Sequence, residues 1–178
     1  AIYKAYPMAA RMTDEFYSAN LLTDILGHGK SSRLVNTLVK DERIFHSLNA
    51  YVTGSTDPGL LIIEGKVNQD FSLEQAETRL MQEIQRLQES GFDADEVQKV
   101  KNQSETALAG ADVELLNKAI NLAYFTLLGD PDGFEEELKK VERVTKEEIE
   151  DTFRRLIVPE RSNTLLYKAI PKEDEAEA

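Results

Sequence analysis

The chain has 178 residues, no cysteine and a formal net charge of −12 at pH 7. Its length is that of one ordinary domain with its own core, and no apolar run reaches the roughly 18 residues of a membrane span. The charge argues against nucleic-acid binding, because a phosphate backbone would be repelled, and the missing cysteines exclude disulfides, thiolate metal sites and a cysteine nucleophile.

The first segments predict a strand followed by two helices. Residues 2–6 are rich in β-prone side chains, and Pro7 is expected to end that strand. Apolar residues at helical spacing then predict a helix that begins at Thr13 and ends at Gly27. One of two adjacent serines, Ser31 or Ser32, is expected to cap a second amphipathic helix.

A hairpin and a long helix come next. Alternating apolar residues in 47–53 and 60–67, joined by a turn rich in Gly and Pro, predict two antiparallel strands. From Ser72 to Ser90 a 3.6-residue period predicts an amphipathic helix that Gly91 closes. Its apolar face is Leu73, Ala76, Leu80, Ile84 and Leu87.

The second half is predicted to be mainly helical. A helix capped by Asp93 or Asp95 precedes the apolar segment 113–128, which is interpreted as a buried helix. A short helix follows, and Thr145 with Glu148 forms a capping box for the next one. Residues 162–169 predict the last strand, and residues 171–178 an acidic disordered tail.

This order of elements indicates an α+β fold with a mostly antiparallel sheet and helices segregated from it. We expect one domain over residues 1–170. Because a strand-like segment already begins at Ile2, without an initiator Met, the chain is expected to start partway into a longer protein.

The segment 27–31 has the glycines, lysine and serine of a phosphate-binding loop, but in the wrong context. The full pattern requires a glycine where this chain has Asp24, and it follows a strand rather than a helix. A glycine that ends one helix and a serine that begins the next explain the segment better. Nucleotide binding therefore remains the lesser hypothesis.

Metal ligands and catalytic groups are equally sparse. His28 and His46 are the only histidines, and neither lies in a run of the type H-x-x-E-H or H-E-x-x-H. A Ser/His/Asp group cannot be inferred from two isolated histidines, and no spacing singles out a carboxylate site. The sequence predicts neither a catalytic nor a metal site.

Six short stretches carry a family resemblance through their order and spacing, and together they span nearly the whole chain up to Ala169. They are ILGHGKSSRL at 25–34, FHSLNAY at 45–51, DPGL at 57–60, KAINLAYFTLLGDP at 118–131, VTKEEI at 144–149 and NTLLY at 163–167. The chain resembles the C-terminal, non-metal-binding domain of the pitrilysin and insulysin group of zinc peptidases, which includes the mitochondrial processing peptidases.

The resemblance implies a metallopeptidase clamshell built from repeated α/β domains, one of which carries an inverted zinc motif, H-x-x-E-H. Aligned without gaps, that motif would fall on Asn20, Thr23 and Asp24, which cannot replace two imidazoles and a general base. The family's substrate-binding Arg and Tyr would fall on Val39 and His46, which do not reproduce that pair. The resemblance therefore implies a metal-free domain.

The function implied is that of an accessory domain of a pitrilysin-type peptidase, or of an inactive homologue, which forms part of a chamber around a peptide. The alternative is an assembly domain without a peptide-binding role. Expected partners are a catalytic domain or subunit of the same family, which would hold the zinc, a peptide substrate, or a second copy. Both the cytoplasm and the periplasm remain open. Candidate contact residues are Arg43, His46 and Tyr51.

Overall fold

The computed structural model describes residues 1–111 and 114–168, and four of their segments form one antiparallel sheet. The strands are β1 (Ile2–Met8), β2 (Phe45–Val52), β3 (Gly59–Val67) and β4 (Asn163–Leu166), in the order β2-β3-β1-β4. β1 pairs with β3 along its whole length and with β4 over residues 2–5. The predicted hairpin of β2 and β3 is confirmed.

Helices make up most of the remaining described chain. They are α1 (Asp14–Leu26), a π-helix (Val35–Asp41), α2 (Leu73–Ser90), α3 (Ala94–Ala111), α4 (Leu115–Leu127), α5 (Gly133–Arg143), α6 (Lys146–Leu156) and a 3₁₀ turn (Pro159–Arg161). The α+β prediction is confirmed. None of the helices in 1–111 and 114–168 has both the length and the apolar content to cross a membrane.

The helices cover one face of the sheet. Ile2, Lys4, Tyr6 and Met8 of β1 are buried, whereas the residues between them are exposed or half-buried. The inward side chains reach α2: the Lys4 ammonium lies 2.8 Å from the Glu77 carboxylate. One continuous core joins sheet and helices, from Ile2 in β1 to Ile157 after α6.

Two helix starts have a capping box, and the sequence predicted the one at Thr145. The Ser72 hydroxyl accepts from the Gln75 amide at the start of α2, and the Gln75 side chain accepts from the Ser72 amide. Thr145 and Glu148 form the same reciprocal pair at α6. Each pair satisfies two amides that a helix start leaves without partners.

Pro7 does not end β1, contrary to the prediction. The strand continues to Met8, with Pro7 opposite Leu60 of β3. The Pro7 carbonyl accepts a hydrogen bond from the Arg161 side chain at 2.9 Å, on the side where β4 has already ended. Because the N and O of one strand residue point the same way, the missing N–H of Pro7 faces an edge with no partner strand.

The second helix also differs from the prediction. After residues 33–34 it is a π-helix to its end at Asp41, and the Glu42 amide bonds to the Thr37 carbonyl five residues earlier. Ser32 stands at the helix start, since its carbonyl accepts from the Asn36 backbone amide, but neither predicted serine caps the helix with its hydroxyl. The Ser32 hydroxyl donates to the Gly29 carbonyl, and the Ser31 hydroxyl accepts from Lys99. Leu34 and Leu38 are nevertheless buried as the apolar stripe predicts.

The prediction of a buried helix over 113–128 is wrong. In α4 only Phe125 is buried, and five large aliphatic side chains are exposed: Leu115, Leu116, Ile120, Leu122 and Leu127. The abundance of apolar residues indicated a helix but not the side that packs. Val113, Ala169 and the predicted tail 171–178 lie outside the described residues.

Candidate functional site

The face of the sheet opposite the helices is open and carries large side chains. Tyr3, Asn49, Glu64 and Leu165 form one row across the four strands. Tyr51 and Ile62 belong to the next row, and Tyr167 follows β4. Of these, Tyr3, Tyr51, Leu165 and Tyr167 are exposed. We call this surface, made of Tyr3, Asn49, Tyr51, Ile62, Glu64, Leu165 and Tyr167, the open face.

The open face mixes aromatic area with a few polar groups. Partial burial, with Glu64 and Tyr3 nearby, raises the pKa of Tyr51 above its ordinary value. An open concavity of about 490 Å³ at one end is lined by Tyr3, Asn49, Glu64, Lys66 and Tyr167. Apolar and aromatic walls with a few polar groups are typical of surfaces that bind flexible ligands.

The outer edge of β2 is a second feature of this surface. The Thr53 amide donates to the Leu60 carbonyl at 2.8 Å, so the backbone groups of Thr53 face β3. Because strand residues alternate, the N–H and C=O groups of Leu48, Ala50 and Val52 face the other way. No further strand of the described chain pairs along that side. Such an edge accepts an added extended chain through backbone hydrogen bonds.

The three candidate contact residues lie on or just before β2, but they do not form a cluster. His46 is exposed and falls at a register shift between Phe45 and Ser47. Tyr51 lies five residues further on, about 16 Å along the strand at ~3.3 Å per residue. The structure therefore spreads them along an edge rather than around one reacting atom.

Arg43 holds the left-handed turn that leads from the π-helix into β2. Its φ of 54° makes it the one positive-φ residue other than glycine in the described chain. The Arg43 carbonyl accepts a hydrogen bond from the Asn68 side chain at 2.5 Å, and the Asn68 amide donates to the Ile44 carbonyl at 2.9 Å. These bonds hold an uncommon backbone conformation at the start of the edge strand.

The positions on which the family's zinc motif would fall do not offer a set of metal ligands. Thr23 is only 2 % exposed, and its hydroxyl donates to the Asn20 carbonyl at 2.8 Å. Asp24 lies beside His28, and burial raises the Asp24 pKa to about 6, an effect that His28 partly offsets. Within 1–111 and 114–168, no group of three or more His, Asp or Glu side chains is placed to hold a metal ion.

The Gly27 region packs as a helix end rather than as a phosphate loop. Gly27 ends α1, and a Cβ at Gly27 would lie 2.5 Å from the Ala50 nitrogen of β2. The glycine is therefore required by the close approach of α1 to the edge strand. This contact supports the helix-end interpretation of the sequence.

The sequence alone did not single out the open-face residues apart from Tyr51. In β1 the aromatic Tyr3 is exposed and the charged Lys4 beside it is buried, so the polarity of the residues did not indicate which side of the strand is exposed. Leu165 lies in β4, whose four residues are all exposed, and Tyr167 follows that strand, so burial does not distinguish one side of it. Only the register of the strands brings these residues together.

Solved structures share this fold at low sequence identity. The inactive peptidase domain of a proposed zinc protease from Bordetella parapertussis is 18 % identical, with a TM-score of 0.86 over 98 % of this chain and 93 % of that chain. A protease from Helicobacter pylori is 16 % identical, with a TM-score of 0.83 over 92 % of this chain. This chain spans only 39 % of that protease.

A chain of complex III2 from Candida albicans, with Inz-5 bound, is 20 % identical, with a TM-score of 0.75 over 92 % of this chain and 41 % of that chain. No curated protein matches the sequence significantly. The family model described as the peptidase M16 inactive domain matches residues 1–104. The chain therefore belongs to the peptidase M16 inactive domain family.

Proposed function

We propose that this chain is an accessory domain of an M16 peptidase-type protein and that its open face lines a chamber around a peptide. Residues 1–170 would form that domain. The observation that carries the proposal is the one-sided sheet: helices cover one face, while the other is open and rich in tyrosine. An uncovered face of this kind suits a ligand surface.

The peptide would lie extended beside β2. The backbone groups of Leu48, Ala50 and Val52 would supply hydrogen bonds that are independent of peptide sequence. Tyr51 would offer ring area on the open face, and His46 and Arg43 would offer donors towards the start of the strand. The domain would position the peptide, and a zinc-bearing domain or subunit of the same family would cleave it.

This division of labour leaves this chain without a catalytic role. Asn20, Thr23 and Asp24 stand where the zinc motif would be, and Val39 and His46 stand where the family has Arg and Tyr. The parent protein would be a zinc metalloendopeptidase or its inactive partner. Zinc would belong to the separate catalytic domain.

The test is a titration of a short, labelled, unstructured peptide against the chain, followed by fluorescence anisotropy. A second peptide of the same sequence, N-methylated at every amide of the pairing segment, has no N–H to donate to a strand edge on either side. We expect binding of the first and loss of binding for the second. Tyr51→Ala should weaken binding about tenfold, whereas Gln98→Ala on the exposed side of α3 should not.

The alternative is an assembly domain without a peptide role, and the exposed aliphatic side chains of α4 favour it. Absence of binding by either peptide would overturn the proposal and leave this alternative. Equal binding of both peptides would contradict strand addition at β2. Cleavage of the peptide by the chain alone, sensitive to a chelator, would contradict the assignment to a non-catalytic domain.

A further inference from the structure

α4 has its apolar side turned away from the rest of the domain. Leu115 is 85 % exposed, Leu127 is 80 % and Leu116 is 69 %. At 100° per residue, these three residues with Ile120 and Leu122 fall within one arc of about 160°. We call this arc, made of Leu115, Leu116, Ile120, Leu122 and Leu127, the α4 face. A helix whose apolar side packed against the core of this domain would bury such an arc.

The opposite side of α4 holds the helix to the domain, and it is partly polar. The Phe125 ring packs edge-on against Phe134 of α5, with centroids 6.1 Å apart. The Arg11 guanidinium lies 5.4 Å from the centre of the Tyr124 ring. The Asn121 side-chain nitrogen is buried without a hydrogen-bond partner in the described structure. The sequence thus places aromatic and amide groups inward and aliphatic groups outward.

Acidic residues flank the α4 face at both ends. Exposed Glu114 precedes the helix, and exposed Asp130 and Asp132 follow it. The last turn of α4 contains no basic residue, and Asp132 is also the N-cap of α5. α4 itself carries one exposed cation, Lys118, so the charges at and beside the helix are three negative and one positive, and the surroundings of the apolar arc are net negative.

We propose that the α4 face docks a partner protein surface that is apolar at its centre and carries Lys or Arg at its rim. Apolar centres with charged rims are the usual anatomy of protein interfaces, and opposite rim charges set partner choice and association rate. The inference stands on α4 alone and does not depend on peptide binding at β2.

The charge also argues against two other occupants. A second copy would bring the same acidic rim and a further net charge of −12, which opposes a symmetric contact. An anionic membrane surface would likewise be repelled, whereas helices that lie on membranes carry Lys and Arg on their polar side.

The experiment uses two synthetic amphipathic helical peptides with the same leucine face. One carries lysines along both sides of that face, and the other carries glutamates. Each labelled peptide is titrated against the chain at low and at high salt. We expect the lysine peptide to bind at least about tenfold more tightly at low salt, and the difference to shrink at 1 M salt, where the Debye length is about 3 Å.

Two variants separate the apolar and charged contributions. Leu116→Gln with Ile120→Gln should abolish binding of the lysine peptide without lowering the thermal midpoint, since both side chains are exposed. Glu114→Gln with Asp130→Asn and Asp132→Asn should remove the preference for lysine but leave binding to the leucine face. Gln98→Ala, on the exposed side of α3, is the matched control and should change neither.

Three results would overturn the proposal. Equal affinity for both peptides at low salt would contradict a partner with Lys or Arg at its rim. Sedimentation of the chain as a dimer that Leu116→Gln with Ile120→Gln converts to a monomer would make a second copy the occupant. Binding to vesicles of anionic lipid, lost in the same variant, would make a membrane the occupant.

Discussion

The Tyr17 phenol donates a 2.5 Å hydrogen bond to the Glu137 carboxylate, 120 residues later, and so joins α1 to α5. The Arg11 guanidinium donates to the other Glu137 oxygen at 3.0 Å. Glu137 is only 4 % exposed, so a lost partner leaves a desolvated charge. Burial, followed by the bond to Glu137, raises the pKa of Tyr17 above its ordinary value.

Tyr17→Phe should therefore destabilise the fold by about 1–3 kcal/mol, the cost of leaving a buried acceptor without its donor. The ring itself stays, so the packing loss is small. Urea denaturation at pH 7 measures the difference. The matched control, Tyr167→Phe at an exposed tyrosine, should change stability by less than about 0.5 kcal/mol. Equal effects of the two variants would contradict the role assigned to the Tyr17 bond.

Two glycines should respond in opposite directions to the same substitution. Gly27→Ala places a methyl group 2.5 Å from the Ala50 nitrogen, and the backbone must shift at a cost of about 1–3 kcal/mol. Gly110→Ala, in α3 with nothing within 4 Å, should stabilise by about 0.5–1 kcal/mol through helix propensity. Thermal midpoints of both variants test this. A neutral Gly27→Ala would mean that α1 does not approach β2 as described.

Glu83 should make the folding stability decrease at acidic pH. Its fully buried carboxylate accepts from Arg79, Arg86 and Thr37, and these bonds, first that of Arg86, hold the Glu83 pKa below its ordinary 4.5. A lowered folded-state pKa gives stability that is complete above the unfolded value and lost as pH falls through the folded one.

Glu83→Gln should thus cost about 1–3 kcal/mol at pH 7, and its difference from the unaltered chain should shrink below pH 4.5. Denaturant midpoints at several pH values measure this gap. Glu89→Gln, at an exposed position on the same helix, should leave the profile unchanged. A gap that stays constant down to strongly acidic pH would show that the charge of Glu83 does not contribute.

Asp24 should show the opposite pH dependence. Its pKa is raised by burial from 3.8 to about 6, so the folded state binds the proton more tightly and the ionised form costs stability at pH 7. Asp24→Asn should stabilise by about 1–2 kcal/mol at pH 7, discounted for partial exposure. That gain should disappear near pH 4. Asp57→Asn, at an exposed aspartate, is the control, and a gain that did not vary with pH would contradict this account.

Local chemistry was predictable from the sequence wherever it involved neighbours along the chain. The period of α2, the capping box of Thr145 with Glu148, and the alternation of β2 and β3 all identified their elements. These signals depend on residues within a few positions of one another. The α+β class follows from their order.

Features that depend on distant segments were not predictable. The partners of Glu83 include Thr37, 46 residues away, and no local pattern announces that contact. The many leucines of α4 led to the prediction of a buried helix. That prediction is wrong because a sequence does not show which side of a helix packs against the domain. The open face could be identified only from the order of the strands. Tyr3 of β1 and Asn49 of β2 fall in one row because both pair with Glu64 of β3.

Pro7 has a consequence for aggregation. β4 pairs with β1 only over residues 2–5, so the end of β1 that contains Pro7 has no partner strand on that side. An unpaired strand segment is a template on which a second chain can add and grow into a fibril. Pro7 offers no amide there, and its carbonyl is already bonded to Arg161. The uncovered end of the central strand is thereby closed to fibril growth, without an additional strand to cover it.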